Sequence, residues 1–329
     1  LRDNILEVAV IGLGKMGLLH AGILNVLPNV QLIALVEKSF MTRILFKKLF
    51  RGVPLFDDVT RLRGLDLDAV YVTTPISSHF PVTKIIYSEE IAKNLFVEKT
   101  LASNYREAEE LCRLAHRFGG TNMVGYTRRF AVIYKKVKDL LTQDALGEVY
   151  FFKAYAYSSD FLGSEKDRQG LAESVLRDLG CHVVDLALWF FGDLKVNFAD
   201  ANNNDRSSDF TFFKVENSNG LKGEFNISSS MPNYRMPEVG LSIRGSKGTI
   251  EVNDDMLKLD LKDEKSSLWY RHNLDDSVNF WLGGPEYFRE DEHFINSVIE
   301  DHRAEPSFLS ASEVDHIIDN VSSREYRNE

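Results

Sequence analysis

A chain of 329 residues has room for two domains of ordinary size, and 44% hydrophobic with 27% charged residues is the balance of a globular protein, not a disordered, fibrous or disulfide-dense one. Asp and Glu number 49 against 39 Lys and Arg, a formal charge of -10, which argues against nucleic acid or an anionic membrane as partner. Cys112 and Cys181 lie far apart in apolar helical patterns, so neither a disulfide framework nor a thiolate metal site is expected, and a reducing cytoplasm fits.

From Glu7 to Gly125, short apolar runs alternate with helical patterns, the rhythm of a parallel sheet wound with helices. Val8 to Ile11, Gln31 to Val36, Ala69 to Thr73, Leu95 to Glu98 and Asn122 to Gly125 read as buried strands. The stretch Val8 to Leu27 is broken by Lys15, His20 and several glycines, so it is read as neither a signal peptide nor a membrane span. A helix capped by Ser103 places Ala108, Leu111, Cys112, Ala115 and Phe118 on one face and stops at Gly119-Gly120.

The rhythm changes after Gly125, which divides the chain into expected domains 1–125 and 126–329. A helix from Arg128 to Leu141 leads to an aromatic strand, Val149 to Ser158, and then to a long apolar helix from Glu173 to Phe191. Alternation at Leu221 to Ser228 and at Val239 to Arg244 predicts antiparallel strands with one wet face, and Asn219-Gly220 is a hairpin turn. Helices over Pro285 to His302 and Ser312 to Arg324 close the chain, and Asn202-Asn203-Asn204-Asp205 reads as a solvated loop tip. The second domain is thus α+β with a sheet of six or more strands.

Gly12-Leu13-Gly14-Lys15-Met16-Gly17 follows the first strand and opens a helix. Gly12 permits the tight turn, Gly14 admits a pyrophosphate to the backbone and Gly17 lets helix and strand pack closely. Glu37, 20 residues beyond Gly17, is placed to accept from an adenosine ribose diol and to repel a 2′-phosphate. NAD is therefore the expected cofactor, with NADP possible because Lys38 and Arg43 stand nearby.

Ala9 to Gly17 with His20, Thr74-Pro75 with His79, Glu98-Lys99-Thr100, Gly125 to Phe130 and Asp178 to Asp185 together resemble the glucose-fructose oxidoreductase, inositol dehydrogenase and rhizopine catabolism (Gfo/Idh/MocA) family. The resemblance implies an α/β chain: an N-terminal Rossmann domain, doubly wound on a parallel sheet, then an α+β domain whose large, mostly antiparallel open sheet forms a dimer or tetramer interface. It implies a dehydrogenase acting on a sugar, cyclitol or nucleotide sugar, with Thr74, Pro75, His79 and Glu98 at the cofactor. A dinucleotide-sensing regulatory protein of the same fold is the alternative.

Lys99 matches the family's lysine, and Asp178 and His182 its second-domain acid and histidine. Removing hydride from a secondary alcohol requires a base near neutrality and a cation beside the developing alkoxide. His182, with an ordinary pKa of about 6.5, suits the base, and Lys99 the cation. Asp178 stands one helical turn before His182 and either orients the ring or holds a substrate hydroxyl. Arg128 and Tyr155 are candidate substrate contacts, each with a plainer reading, as partner of a surface carboxylate and as sheet packing. Asp185 is read as a helix anchor or sugar contact, and no metal is expected. The sequence departs from the family pattern at Thr100, where proline is usual, at Thr127, where asparagine is common, and in lacking a glycine cluster over Leu171 to Leu176.

Overall fold

The computed structural model describes residues 5–160, 175–201, 210–262 and 265–325, arranged in two compact units. The first comprises Leu1–Thr127 with Ser277–Asp315, and the second Arg128–Asp276 with His316–Glu329.

Six parallel strands build the first unit: β1 (Leu6–Ile11), β2 (Val30–Val36), β3 (Leu55–Phe56), β4 (Ala69–Val72), β5 (Asn94–Glu98) and β6 (Asn122–Gly125), in the order β3-β2-β1-β4-β5-β6. The interior strands bury both faces, with Val8, Ala9, Val10, Val70, Tyr71, Val72, Leu95, Phe96 and Val97 all at 0% exposure, hence their near-continuous apolar runs. Strand order reverses between β1 and β4, which opens a crevice at the carboxyl ends where such sheets bind ligands. Helices α1 (Lys15–Leu24), α2 (Phe40–Leu49), α3 (His79–Ser88) and α4 (Tyr105–Phe118) connect the strands. The cap of α4 is Asn104, one residue beyond the expected Ser103, and its side chain accepts from Glu107 N–H at 3.0 Å.

The expected boundary at Gly125 is revised. The chain returns to the first unit over 277–315, carrying helix α7 (Pro285–Ile299). Phe294 of α7 meets Tyr71 and Phe96 edge-on, at 5.4 and 5.8 Å between ring centres, so this helix completes the first core. An amphipathic stripe says that a helix is buried, not against which core, and the sequence reading had assigned it to the wrong one.

In the second unit eight strands form a sheet: β7 (Val149–Tyr157), β8 (Lys195–Ala201), β9 (Thr211–Glu216), β10 (Lys222–Ser228), β11 (Glu238–Gly245), β12 (Gly248–Asn253), β13 (Met256–Leu261) and β14 (Ser267–Tyr270). Their order is β14-β13-β12-β11-β7-β10-β9-β8, antiparallel except for β7 beside β10. Gly220, at φ +84°, turns the chain between β9 and β10 where the Asn-Gly pair predicted a hairpin. Helices α5 (Val132–Thr142) and α6 (Cys181–Phe191) pack on the sheet. On their side Phe152 stacks on Phe191 at 4.6 Å and meets Phe225, which stacks on Phe213. The final helix, α8 (Phe308–Glu325), begins in the first unit and ends in the second. The Asn202–Asp205 loop tip, the predicted helix start at Glu173 and the segment 171–174 lie outside the described residues.

Candidate functional site

The glycine loop meets the steric demands read from its sequence. Gly12 has φ +92°, and a Cβ there would lie 2.9 Å from the Thr74 backbone nitrogen. A Cβ on Gly17 would overlap the Gly12 carbonyl, whereas one on Gly14 would meet nothing within 4 Å. Gly14 caps α1 without a side chain, leaving the first-turn N–H groups of Lys15, Met16 and Gly17 for an anion. Thr73 Oγ1 donates within reach of Ile11 O (3.1 Å) and Gly12 O (2.7 Å) and ties the loop to β4.

Beside this loop is a cavity of about 350 Å³ lined by Gly12, Glu37, Asp57, Asp58, Thr74 and Pro75 among others. Glu37 accepts from Leu13 N–H through Oε2 and from Ser39 N–H through Oε1, both at 2.8 Å, so its carboxylate is fixed at the end of β2. Arg43 donates through Nη1 to the Glu37 and Lys38 carbonyls, each at 2.7 Å. Asp58 caps the next turn by accepting from Thr60, bonds that lower its pKa below the ordinary value. Two carboxylates thus join Glu37 around the cavity. Asp57 and Asp58 were missed from sequence because β3, which delivers them, is two residues long. The shape, the glycine contacts and the fixed acid fit an adenosine dinucleotide.

Two expected cofactor contacts need correction. His79 has 0% exposure, with Nδ1 2.7 Å from Thr100 O and Nε2 2.8 Å from Thr74 O. Burial lowers its pKa against the pull of those carbonyls. Its ring lies between two loops beneath the surface, with neither nitrogen open to a cofactor. Glu98 is 6% exposed, with Oε1 3.0 Å from His20 Nε2 and Oε2 accepting from Lys99 N–H at 3.0 Å. It serves the interior of the first unit, and His20, also at 0%, lies in that interior with it.

Lys99 is the one residue between Asn94 and Ala102 that is not buried. Thr100, at the family's proline position, is fully buried, follows a cis peptide bond and donates to Ala102 O at 3.1 Å. In the second unit a π-helical turn, Leu176–Gly180, runs into α6. From Val175 to Ala187 every residue is buried except Asp178, exposed, and His182, half-buried. Four residues span about 40° of rotation in an α-helix and a similar offset in a wider turn, so the pair shares one open face.

The second unit also corrects its two other substrate candidates. Arg128 grips Asp254 with Nε and Nη2 at 3.0 and 3.1 Å, and Asp254 also accepts from Val239 N–H and Tyr134 OH, both at 3.0 Å. Arg128 therefore organises β11 and α5, as the carboxylate-partner reading had it. Tyr155 alternates with the buried Phe152, Ala154 and Ala156, so it faces away from α6, where it stacks on Tyr157 at 4.9 Å and donates to Glu238 at 2.6 Å. The sheet separates it from Asp178 and His182. Burial and the neighbouring Glu238 raise the pKa of its hydroxyl. Asp185 resolves as a helix anchor, 1% exposed, with both oxygens within 3.1 Å of Arg129 Nε and one 2.6 Å from Nη2.

Among the described residues no group of three or more His, Cys, Asp and Glu is placed to hold a metal. No helix among them is long and apolar enough to cross a membrane.

Residues 6–126 match the profile described as "Oxidoreductase family, NAD-binding Rossmann fold", and residues 134–251 that of the GFO/IDH/MocA C-terminal domain. A putative oxidoreductase of Salmonella typhimurium, YceM, is 33% identical over 140 residues, 43% of this chain and 41% of its own length. The NADP(+) scyllo-inositol 2-dehydrogenase IolW of Bacillus subtilis is 26% identical over 57% of this chain and 52% of its own length. The chain thus aligns over about half the length of the curated relatives it matches. A levoglucosan dehydrogenase complexed with NADH and levoglucosan superposes with a TM-score of 0.84 over 98% of both chains at 17% identity, a likeness of fold. The two profiles span most of the chain, which belongs to the Gfo/Idh/MocA oxidoreductase family, with an NAD-binding Rossmann fold at its N-terminus.

Proposed function

We propose that the protein is an NAD-dependent dehydrogenase that interconverts a secondary alcohol and a ketone on a sugar, cyclitol or nucleotide sugar. The observation that carries this reading is exposure: Lys99, Asp178 and His182 each break a run of otherwise buried residues. Lys99 and His182 are half-buried and Asp178 is exposed at positions whose chain neighbours are packed, which leaves each of the three able to meet a substrate.

The bound nicotinamide supplies the two-electron acceptor or donor. The first-turn N–H groups of α1 would hold the pyrophosphate, and Glu37 would accept from the ribose diol. Glu37, Asp57 and Asp58 disfavour a 2′-phosphate, since their three charges outnumber that of Lys38, which lines the same cavity. NAD is accordingly the proposed cofactor over NADP. Lys99 donates to the substrate oxygen and stabilises negative charge as it develops there. His182 takes the hydroxyl proton in oxidation and returns it in reduction, and Asp178 orients the imidazole or holds a neighbouring hydroxyl.

We place the enzyme in the cytoplasm and the subunit contact on the outer face of the large sheet. That face carries Tyr155, Tyr157 and a charged ladder in which Glu224 lies 3.5 Å from Lys153 and 3.3 Å from Lys214. The test is nicotinamide absorbance over time with NAD and NADP separately, across inositols, aldoses and nucleotide sugars, for the parent and His182→Asn. Turnover of one compound class, falling about 10²- to 10⁴-fold in the variant, is expected. Absence of redox change with every compound, alongside tight binding of cofactor and sugar, would instead favour a sensor.

A further inference from the structure

Two buried side chains that reach Lys99 in series through Glu98 have no part in the reading above. Nδ1 of His20 lies 2.8 Å from Oδ1 of Asp291, in α7, and Nε2 lies 3.0 Å from Oε1 of Glu98. His20 and Asp291 have 0% exposure. Both ring nitrogens face carboxylate oxygens, and only an imidazolium donates to two acceptors. Burial alone lowers the His20 pKa, but Asp291 and Glu98 outweigh it and hold the group well above its ordinary value. Rings of Phe96, Tyr71 and Tyr287 enclose the imidazole at 5.0, 5.7 and 6.5 Å between centres.

This row ends at the proposed site. The second oxygen of Glu98 accepts from the Lys99 backbone N–H at 3.0 Å. On the far side of Lys99, the Thr100 carbonyl faces His79 at 2.7 Å. A buried ion row is a weak source of stability beside packed apolar side chains of the same volume, so its value lies in fixing geometry. We infer that His20 and Asp291 are positioning residues for Lys99: Asp291 anchors the imidazole, the imidazole fixes the Glu98 carboxylate, and Glu98 fixes the lysine's backbone. This inference rests on the reading of Lys99 as the group that meets the substrate oxygen.

The experiment compares the parent chain with His20→Gln and Asp291→Asn, each alone and combined with Lys99→Met. Amide hydrogen exchange is read at Lys99 and at Leu95 to Val97, NADH affinity by fluorescence, and kcat and KM on the panel compound the parent turns over best. The expected result is exchange at Lys99 at least about tenfold faster with Leu95 to Val97 unchanged. NADH affinity and KM stay within about threefold, kcat falls about 10- to 100-fold, and Lys99→Met abolishes most of that further loss. Unchanged exchange at Lys99, losses that multiply with Lys99→Met, or failure of both variants to fold would each overturn the inference. Full activity of Lys99→Met alone overturns the function of Lys99 instead, and the exchange readout still decides whether the row holds its backbone.

Discussion

The backbone N–H of Leu13, inside the glycine loop, donates to the Glu37 carboxylate at 2.8 Å. One side chain therefore braces the glycine loop and lines the cavity beside it. Glu37→Gln should weaken NADH binding about 10- to 100-fold, the size of losing hydrogen bonds to a charged acceptor. NADPH should gain little, because Asp57 and Asp58 still line the cavity. Fluorescence titration with both nucleotides checks this, and a variant that prefers NADPH would show that Glu37 alone sets the choice.

Gly17→Ala should abolish NADH binding and cost about 1–3 kcal/mol of stability, the range for forced overpacking. The added carbon overlaps Gly12 O, and Thr73 Oγ1 at 2.8 Å blocks its retreat. Gly14→Ala, with nothing within 4 Å of the new carbon, should leave stability nearly unchanged. Urea unfolding of the pair checks the contrast.

Arg129 and Asp185 form a buried bidentate pair, with exposures of 8% and 1%. Asp185→Asn should cost about 3–5 kcal/mol, because an unpaired guanidinium is left in the interior. The double variant Arg129→Met with Asp185→Leu should recover most of the loss, and strictly additive costs in urea unfolding would refute the pairing energetics.

Glu290 has 0% exposure, and burial first, then the nearby Glu98 and Asp291 charges, raises its pKa well above the ordinary carboxyl value. A group that binds its proton more tightly folded than unfolded supports the fold below its unfolded pKa and loses that support as pH rises through its folded one. For Glu290 the loss begins above about pH 4.5. Glu290→Gln, neutral at every pH, should flatten the decline of stability with rising pH, by at most about 1.4 kcal/mol per pH unit. Parallel curves for parent and variant from pH 5 to 9 would contradict the shift.

The cofactor loop was legible because its signal is local: strand, glycines, helix and an acid all lie between Val8 and Glu37. Lys99, Asp178 and His182 were singled out by the family resemblance together with a strand end and a four-residue spacing, and the structure adds that each breaks a run of buried residues. Facing and partnering were not legible. Tyr155 fits either side of a strand until it is known which face the helices cover, and Arg128 fits substrate or carboxylate until Asp254 is brought beside it. The π-helical turn at Leu176–Gly180 adds a bulge that apolar periodicity hides in a run buried but for Asp178. Glu290 and Asp291 did leave a trace, as acids inside the apolar stripe of Phe288, Phe294 and Ile295. Charges on a core face are the sequence signal of a buried polar network.

If Lys99 meets the substrate oxygen, its loss must remove chemistry without removing cofactor binding. Parent and Lys99→Met are compared for NADH affinity and for turnover of the compound the parent uses best. The expected result is affinity within about threefold and a kcat lower by about 10³-fold, the scale of losing a charge that stabilises the transition state. Equal turnover by the two proteins would contradict it.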